Sequence, residues 1–254
     1  MERSYYGKSG HIGSNLSIAD LVWCLYDSVF NARPTDFSDK KNNNERDRFV
    51  LSKGHPSLAL FVALYLKGFI TKDELDTYCK HDGTLLGAHP KHYIRGVDFS
   101  TGSLGTGITF AVGCSLAAKI QKSLRKTYCL ISDGEINEGS CWEALTFAGA
   151  KKLDNLVLLY DNNKQQALDL TKNIIDLNKM NDIVKILGFD VMEINGHDHD
   201  EIKRAIAKAK FSDRPVFINA HTICGKGISF MENTIEWHYK SMTEEQYMKA
   251  LSEI

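Results

Sequence analysis

Short apolar runs alternate with segments of helical periodicity through the second half of this chain. Four apolar runs and three helical segments follow one another in the order 128–131, 138–150, 156–160, 181–187, 189–194, 201–210 and 216–220. Strands that alternate with helices favour a parallel sheet, because parallel strands need a crossover connection and a helix usually provides it. The pattern therefore predicts the α/β fold class, with a mostly parallel sheet and helices on both faces.

The first half of the chain has the same character but a less regular order. Apolar residues at helical spacing predict helices over residues 16–30 and 58–67. Between them, a polar stretch at 31–48 predicts an exposed loop, and an apolar run predicts a short strand at 49–52. The capping-box pattern at 71–74 predicts the start of a further helix.

A long segment with several glycines and histidines, residues 83–109, joins the two halves. Loops of this length in compact domains usually carry function. No internal repeat, low-complexity tract or proline-rich linker divides the sequence. We therefore expect a single domain over residues 1–254.

The charge balance limits the classes of partner. The chain has 31 basic and 32 acidic side chains and a formal net charge of -1, so its composition does not favour nucleic-acid binding. Its longest apolar runs, such as residues 58–66, are much shorter than the roughly 18 residues of a membrane span, and the N-terminus has no apolar signal segment. The six cysteines lack the spacing of metal sites. We therefore expect a cytoplasmic protein with reduced thiols and no membrane or nucleic-acid partner.

Acidic and amide side chains follow two successive strands of the predicted sheet. Asp133 and Gly134 come shortly after the apolar run at 128–131, and Asn163 follows the next run, 30 residues beyond Asp133. This interval is about one strand-helix-strand unit, so adjacent parallel strands would bring both side chains to one edge of the sheet. Their oxygen atoms suit Mg2+ held against a diphosphate, because Mg2+ completes its octahedron with phosphate and water oxygens. Either motif alone also fits an ordinary capped turn, so the pair carries the prediction.

The paired motifs resemble the signature of thiamine diphosphate enzymes, and further motifs narrow the resemblance to the transketolase family. They occur in the family's order: Ser9-Gly10-His11-Ile12-Gly13, Phe49-Val50-Leu51-Ser52-Lys53-Gly54-His55, Gly87-Ala88-His89-Pro90, Ser100-Thr101-Gly102-Ser103-Leu104-Gly105, Gly225-Lys226-Gly227 and Trp237-His238. The match covers nearly the whole chain and corresponds to the cofactor-binding half of the family, the PP-type thiamine diphosphate-binding fold. The resemblance implies a transferase that uses thiamine diphosphate and Mg2+, with Ca2+ or Mn2+ as substitutes for the metal.

The resemblance also implies cofactor contacts for individual residues. Asp133, Asn163 and the backbone carbonyl of Gln165 correspond to the metal ligands. Further cofactor contacts are implied for Ser103, Leu104 and Gly105, with Leu104 beside the aminopyrimidine ring, for Gly134 and Glu135 in the diphosphate turn, and for His55. Lys226 either neutralises the diphosphate or is an ordinary solvated loop lysine.

Four histidines and one glutamate match residues close to the reaction. His11 and His55 match histidines near the thiazolium ring and the substrate. His89 matches one that faces the reacting carbon, and His238 matches one that assists proton transfer at the substrate hydroxyl. Glu138 resembles an acid that couples the two active sites of the dimer. Imidazole suits such roles because it exchanges protons near neutral pH.

Two departures from the family pattern shape the remaining expectations. Ser132 stands where the first glycine of the Gly-Asp-Gly signature is usual, and the second α/β domain of the family has no counterpart here. In the family that domain supplies the glutamate that activates the cofactor and the arginines that hold a substrate phosphate. We therefore expect a separate C-terminal transketolase subunit with the pyrimidine-binding domain, in an α2β2 heterotetramer, and sugar or sugar-phosphate substrates.

The leading hypothesis is transfer of a two-carbon ketol unit from a ketose to an aldose acceptor. The alternatives are a 1-deoxy-sugar synthase or 2-oxo acid decarboxylase type of thiamine-dependent subunit, and a non-catalytic assembly subunit of the same fold. The set of four histidines favours ketol transfer, and the intact pair of Asp133 and Asn163 argues against a non-catalytic subunit. His197 and His199 could pair at a metal, although no further ligands stand at suitable spacing.

Overall fold

The computed structural model describes residues 1–37, 40–80 and 85–254. These residues form a five-stranded sheet in which each neighbouring pair of strands is parallel. The strands are β1 (Arg48–Leu51), β2 (Thr127–Ser132), β3 (Leu156–Asn162), β4 (Asp190–Asn195) and β5 (Val216–His221). Their order across the sheet is β1-β2-β3-β5-β4. The predicted α/β class with a mostly parallel sheet is confirmed.

Both faces of the sheet are apolar and covered. In β2, Tyr128 and Leu130 lie in the core on one face, and Cys129 and Ile131 lie in the core on the other; all four side chains are fully buried. Successive residues of a strand point to opposite faces, so a strand with two covered faces must be apolar at every position. This explains why the central strands appear in the sequence as continuous apolar runs.

The helices fall into two layers and one peripheral group. They are α1 (Glu2–Tyr6), α2 (Ile12–Cys24), α3 (Lys40–Glu45), α4 (Ser57–Leu66), α5 (Lys72–Leu75), α6 (Thr106–Ile120), α7 (Gly139–Ala150), α8 (Thr171–Ile174), α9 (Met180–Ile186), α10 (His199–Ala209) and α11 (Glu244–Leu251). Helices α2, α4 and α10 pack on the sheet face of Tyr128, and α6, α7 and α9 pack on the face of Cys129. Helix α11 contributes to a third, smaller apolar cluster together with Ile228 and Met231.

The first long helix differs from its predicted bounds. The helix expected over 16–30 begins earlier, at Ile12, and its last turn widens into a π-helix over Leu25–Val29. Its first residues were missed because Ile12, Gly13 and Ser14 do not continue the apolar periodicity, although all three are buried. The start at Ile12 matters for function, because it places His11 directly at the N-terminus of α2.

The segment expected as an exposed loop at 31–48 is more ordered than predicted. It contains a 3-10 turn at Pro34–Phe37, helix α3 and the first residue of β1; residues 38 and 39 lie outside the described residues. Arg46 is 5% exposed, with its Nη2 2.5 Å from Asp98 Oδ1 and its guanidinium 3.7 Å from the centre of the Phe37 ring. A buried ion pair keeps this polar segment in the fold, and hydrophobic periodicity does not detect such pairs.

Two further predictions concern local signals. The capping box is confirmed: the Glu74 N–H donates to Thr71 Oγ1 at 3.1 Å, and the Thr71 N–H donates to Glu74 Oε2 at 2.7 Å. The loop expected at 83–109 ends earlier, because α6 begins at Thr106. Residues 83 and 84 of that prediction lie outside the described residues.

All six cysteines fall within the described ranges, and all are free thiols as expected. None of the helices in these ranges combines the length and apolar character that a membrane span requires.

Candidate active site

The carboxyl ends of β1, β2 and β3 open into one cavity of about 190 Å3. In parallel α/β sheets this edge is where loops leave the strands and ligands bind. Seven of the predicted site residues line the cavity: His55, Leu104, Asp133, Gly134, Asn163, Gln165 and His238. The structure therefore brings together residues that are up to 183 positions apart in the chain.

Asp133 lies on the floor of this cavity and is only 1% exposed. Its Oδ1 accepts the N–H of Gly134 at 3.0 Å, and its Oδ2 accepts the hydroxyl of Thr171 at 3.2 Å. Burial, followed by the nearby carboxylate of Asp161, raises the pKa of Asp133 to about 7. These two hydrogen bonds compensate the negative charge of the buried Asp133 only in part, so a bound cation would stabilise its charged form.

Asn163 presents its amide in one defined orientation. Its Nδ2 donates to Ser17 Oγ at 3.1 Å and to Asp161 Oδ2 at 3.2 Å, while its Oδ1 accepts the N–H of Gln165 at 2.9 Å. The amide oxygen is thus on the side of Gln165, which also lines the cavity. Adjacent pairing of β2 and β3, with Ser132 opposite Asp161, brings Asp133 and Asn163 to the same edge as predicted.

The donor set fits a hard divalent cation. Among the described residues no three His, Cys, Asp or Glu side chains form a metal cluster. One carboxylate, one amide oxygen and a backbone carbonyl would remain for a cation, which suits Mg2+ when phosphate and water supply the other ligands. A Cβ added at Gly134 would meet only the side chain of Gln166, at 3.6 Å or more, so the protein itself has room for a side chain there. The missing side chain leaves space beside Asp133 that a diphosphate can use.

Lys53 is a cavity residue that the sequence analysis did not select. It follows β1 by two positions, is 6% exposed, and places its Nζ 2.5 Å from Asp161 Oδ2. Its position in the sequence could have identified it, because Lys53 follows a predicted strand and lies between Ser52 and Gly54 in the motif that ends at His55. Burying an ammonium group is costly unless a partner compensates it, and Asp161 is that partner here.

Four histidines form a continuous row at the cavity. Ring centroids are 4.8 Å apart between His89 and His55, 4.9 Å between His55 and His11, and 5.0 Å between His11 and His238. Burial lowers the pKa of each of them, to about 3 for His11 and about 4 for His238, and the neighbouring imidazoles and Lys53 lower several of these pKa values further. All four rings are therefore neutral at physiological pH.

The backbone of His11 is hydrogen-bonded to His238, the residue at one end of this row. His11 has a left-handed φ of 62°, and its N–H donates to the carbonyl of His238 at 2.9 Å. Its Nδ1 is buried and has no hydrogen-bond partner among the described residues. A buried nitrogen without a partner is costly in the free protein.

The turn that carries Leu104 depends on a glycine. Gly105 has a φ of +81°, and a Cβ there would lie 2.2 Å from Ser140 Oγ. Leu104 lines the cavity, whereas Ser103 is exposed and uses its carbonyl to accept the hydroxyl of Thr106 at 2.8 Å.

Glu135 is not among the residues that line the cavity, and its predicted contact in the diphosphate turn stays a prediction. Its side chain is 0% exposed. Glu135 Oε1 accepts the hydroxyl of Ser52 at 2.5 Å and the N–H of Gly105 at 2.8 Å. Burial raises the pKa of Glu135 to about 7. The carboxyl group therefore links the ends of β1 and β2 to the turn of Leu104.

Two other charged residues lie outside the cavity. Lys226 Nζ lies 3.5 Å from Glu232 Oε1, and Lys226 is not among the cavity residues; its role at the diphosphate stays a prediction. Glu138 is exposed and precedes α7. An exposed position is compatible with a contact to another chain, and the coupling role of Glu138 stays a prediction.

His197 and His199 both contact Asp20 rather than a metal-ligand set. His197 Nδ1 and His199 Nε2 each lie 2.8 Å from an oxygen of Asp20, and His197 Nε2 accepts the N–H of Ile223. This interaction connects α2 with the start of α10 and the end of β5. Ser132, the departure from the usual glycine, is the last residue of β2 and has ordinary extended geometry.

Comparisons with known proteins agree with this arrangement. The family of the transketolase thiamine diphosphate binding domain matches residues 3–253. An apulose-4-phosphate transketolase subunit of Phocaeicola vulgatus is 39% identical over 255 residues, which cover 100% of this chain and 89% of that protein. The 6-deoxy-6-sulfo-D-fructose transketolase subunit of a Clostridium strain is 39% identical over 247 residues, which cover 96% of this chain and 88% of that protein.

Solved structures share the fold. The transketolase of Campylobacter jejuni superimposes with a TM-score of 0.87 at 34% identity, over 99% of this chain and 39% of that one. The transketolase of Leishmania mexicana gives a TM-score of 0.87 at 30% identity, over 98% of this chain and 39% of that one. The chain thus spans about two-fifths of these longer transketolases, and it belongs to the transketolase family, as a thiamine diphosphate-binding domain.

Proposed function

We propose that this chain is the N-terminal subunit of a split transketolase that transfers a two-carbon ketol unit from a ketose to an aldose with thiamine diphosphate and Mg2+. The observation that carries the proposal is the meeting of Asp133 and Asn163, from adjacent strand ends, in one cavity with Lys53, His55 and His238. The last two belong to the row of four histidines. The chain acts as one domain over residues 1–254 and supplies the cofactor-anchoring half of the active site.

The cation and the diphosphate would be held at the sheet edge. Asp133 supplies a carboxylate, Asn163 its amide oxygen and Gln165 its backbone carbonyl, and Lys53 adds a positive charge beside them. Ca2+ or Mn2+ could replace Mg2+ because the donor set consists of oxygen atoms. Leu104 would pack beside the aminopyrimidine ring, on a turn that Gly105 and Ser103 shape and that Glu135 holds from behind.

The histidines would handle protons around the substrate. Thiamine diphosphate, when bound, supplies the electron sink for breaking and forming the carbon–carbon bond. The neutral rings of His55, His89 and His238 can each accept a proton from a hydroxyl or donate one through a ring nitrogen. His11, which is predicted to lie near the thiazolium ring and the substrate, contacts the rings of His55 and His238. All four rings are partly buried, and this desolvation lowers the pKa of each of them.

A partner subunit would complete the site. Helices α6 and α7 carry one charged side chain each, Lys119 and Glu143, and helices that are apolar all round are usually covered on every side. Part of their surface is nevertheless open, since Ile120 is 73% and Phe147 is 39% exposed. We place the contact with a C-terminal subunit, which carries the pyrimidine-binding domain, on this side in an α2β2 heterotetramer.

The position of Glu138 supports this placement. It precedes α7 at the carboxyl edge of the sheet and is exposed. In the assembled protein it would act between the two active sites rather than on the substrate directly. The six free thiols fit a reducing compartment, and we propose a cytoplasmic location.

The substrates are proposed to be sugars or sugar phosphates. Two similar proteins are named for different ketoses, apulose 4-phosphate and 6-deoxy-6-sulfo-D-fructose, and both sugars have an anionic group. In the described part of the chain no arginine lines the cavity. Recognition of an anionic group would therefore fall mainly to the partner subunit.

The test is to purify the chain in complex with the pyrimidine-binding partner and to measure thiamine diphosphate binding by calorimetry with and without Mg2+. We expect saturable binding that requires the cation, and transfer of a ketol unit to an aldose acceptor in a product assay. Asp133→Ala removes a predicted metal ligand and should abolish both thiamine diphosphate binding and ketol transfer. Absence of saturable binding in the assembled protein would refute the proposal. A 1-deoxy-sugar or decarboxylated product instead of a transferred ketol unit would favour the related thiamine-dependent activities.

A further inference from the structure

Asp161 is a fully buried carboxylate at the end of β3 that receives hydrogen bonds from four side chains. Its Oδ1 accepts the hydroxyl of Ser17 at 2.7 Å and the hydroxyl of Thr222 in a short hydrogen bond. Its Oδ2 accepts Lys53 Nζ at 2.5 Å and Asn163 Nδ2 at 3.2 Å. These donors come from α2, from the residues just after β1 and β5, and from the residue that follows β3.

The arrangement requires a hydrogen-bond acceptor at both oxygens of residue 161. Four donors face two oxygens, and a carboxylate offers about four lone-pair positions and no hydrogen of its own. An asparagine would have nearly the same shape, but its NH2 group would face two of the donors. The side chain is 0% exposed, so water cannot relieve such a mismatch.

The consequence for Asn163 is a fixed amide orientation. Asp161 Oδ2 and Ser17 Oγ both accept from Asn163 Nδ2, so the amide nitrogen is held on the side of α2. The amide oxygen must then lie on the opposite side, where it accepts the N–H of Gln165. With the amide reversed, NH2 would replace the oxygen, and NH2 does not bind a cation.

We propose that Asp161 is the positioning residue of the cation site: it holds the Asn163 amide so that its oxygen serves as a ligand, and it holds Lys53 beside the same cavity. This inference rests on the proposed function, since it concerns the site for the cation and the diphosphate. Residues that orient metal ligands typically change metal affinity about 10- to 100-fold when they are altered.

Two hydroxyls provide a matched pair of variants. Ser17 and Thr222 each donate to Asp161 Oδ1, and both are buried. Only Ser17 also accepts from Asn163. Ser17→Ala therefore removes a contact with the amide. Thr222→Val removes a hydroxyl that contacts Asp161 and Ser17 but not the amide.

The experiment measures the apparent Kd for Mg2+ at saturating thiamine diphosphate by calorimetry, together with the Tm without Mg2+, on the chain in complex with its partner subunit. We expect Asp161→Asn to weaken Mg2+ binding about 100-fold and Ser17→Ala about tenfold, with Thr222→Val within about twofold of the wild type. Ser17→Ala and Thr222→Val should lower the Tm by similar amounts, so stability alone would not explain their different affinities.

The outcomes separate the two proposals. Absence of Mg2+-dependent binding in the wild type would refute the proposed function, and this inference with it. Normal binding by the wild type, together with wild-type Mg2+ affinity in Asp161→Asn, would overturn only the positioning role of Asp161. If Asp161→Asn does not assemble, Asp161→Ala takes its place, because it also removes the acceptor for Asn163 Nδ2, and wild-type Mg2+ affinity in that variant would overturn the role as well.

Discussion

The imidazole rings of His11 and His55 lie 4.9 Å apart, and burial keeps the pKa of both below the ordinary value. Neither ring can take up a proton without the cost of placing a charge in a poorly solvated site next to another imidazole and near Lys53. This contact joins the N-terminus of α2 to the segment after β1. The free protein thus holds its proton-exchanging groups neutral before any substrate arrives.

The low pKa of His11 makes folding stability sensitive to acid. In the unfolded chain an ordinary histidine takes up a proton below about pH 6.5, whereas His11 in the folded protein does so only near pH 3. Between these values the unfolded state binds more protons, so the contribution of His11 to stability falls as the pH is lowered from about 6.5 to about 3. We expect His11→Asn to flatten this part of the stability profile, measured by urea denaturation from pH 4 to pH 7. An unchanged slope would show that His11 is protonated in the folded state.

Asp133 should change the stability with pH in the opposite direction to His11. Its raised pKa means that the folded state binds more protons than the unfolded state between about pH 4 and about pH 7, so stability is lost as the pH rises through this range. Asp133→Asn removes the buried charge. We expect the isolated chain at pH 8, with a chelator, to gain at least about 1 kcal/mol, or about 2–4 °C in Tm, and to lose cation binding. A lower Tm at pH 8 would show that the carboxylate is better compensated than these contacts indicate.

Two glycines allow a test of the turn that carries Leu104. Gly105→Ala should destabilise the chain by about 1–3 kcal/mol, because its φ is +81° and its Cβ would meet Ser140 Oγ at 2.2 Å. The displaced turn should also weaken thiamine diphosphate binding. Gly113→Ala is the control in the isolated chain: Gly113 lies in α6 with open space at its Cβ position, and alanine should stabilise the helix by about 0.5–1 kcal/mol. Equal changes in stability for the two substitutions would contradict the backbone strain and steric clash expected for alanine at position 105.

Substitution by methionine should reduce stability and cofactor affinity much more at Lys53 than at Lys226. Lys53→Met leaves the carboxylate of Asp161 buried without its ion pair, which should cost about 3–5 kcal/mol in chemical denaturation and reduce diphosphate affinity. Lys226 is half-exposed and pairs only loosely with Glu232, so Lys226→Met should stay within about 0.5 kcal/mol of the wild type and keep its cofactor affinity. A marked loss of cofactor affinity in Lys226→Met would return that residue to the diphosphate site.

Glu135 offers a separate test of the link behind the cavity. Glu135→Gln keeps an oxygen that can accept from Ser52 and from the N–H of Gly105, and it removes a buried group whose pKa is raised. We expect it to be at least as stable as the wild type at pH 8. Glu135→Ala leaves both donors unsatisfied and should cost about 2–4 kcal/mol. The comparison uses thermal unfolding of the isolated chain, and similar Tm values for the two variants would rule out the linking role.

The sequence by itself determined the sheet and the main pair of site residues. Apolar runs separated by helical segments specify parallel strands, because an apolar stretch of four to seven residues must be covered on both faces and a helix must return the chain. Successive parallel neighbours then place Asp133 and Asn163 at one edge regardless of further detail. Strand β2 extends one residue beyond its prediction at each end, and β3 extends two residues beyond its predicted end, because strand ends are set by pairing with the next strand.

Only the tertiary structure decided what each side chain contacts beyond the strand ends. Asp133 and Glu135 are two positions apart, yet one lines the cavity and the other is buried behind it against Ser52. Lys53 and Lys226 are both basic loop residues, and they differ because only Lys53 reaches Asp161. The contacts of Glu135 with Ser52 and of Lys53 with Asp161 join residues 83 and 108 positions apart, and burial gives them their energy. Local periodicity carries information about which face is covered, but not about which polar groups meet once the loops converge.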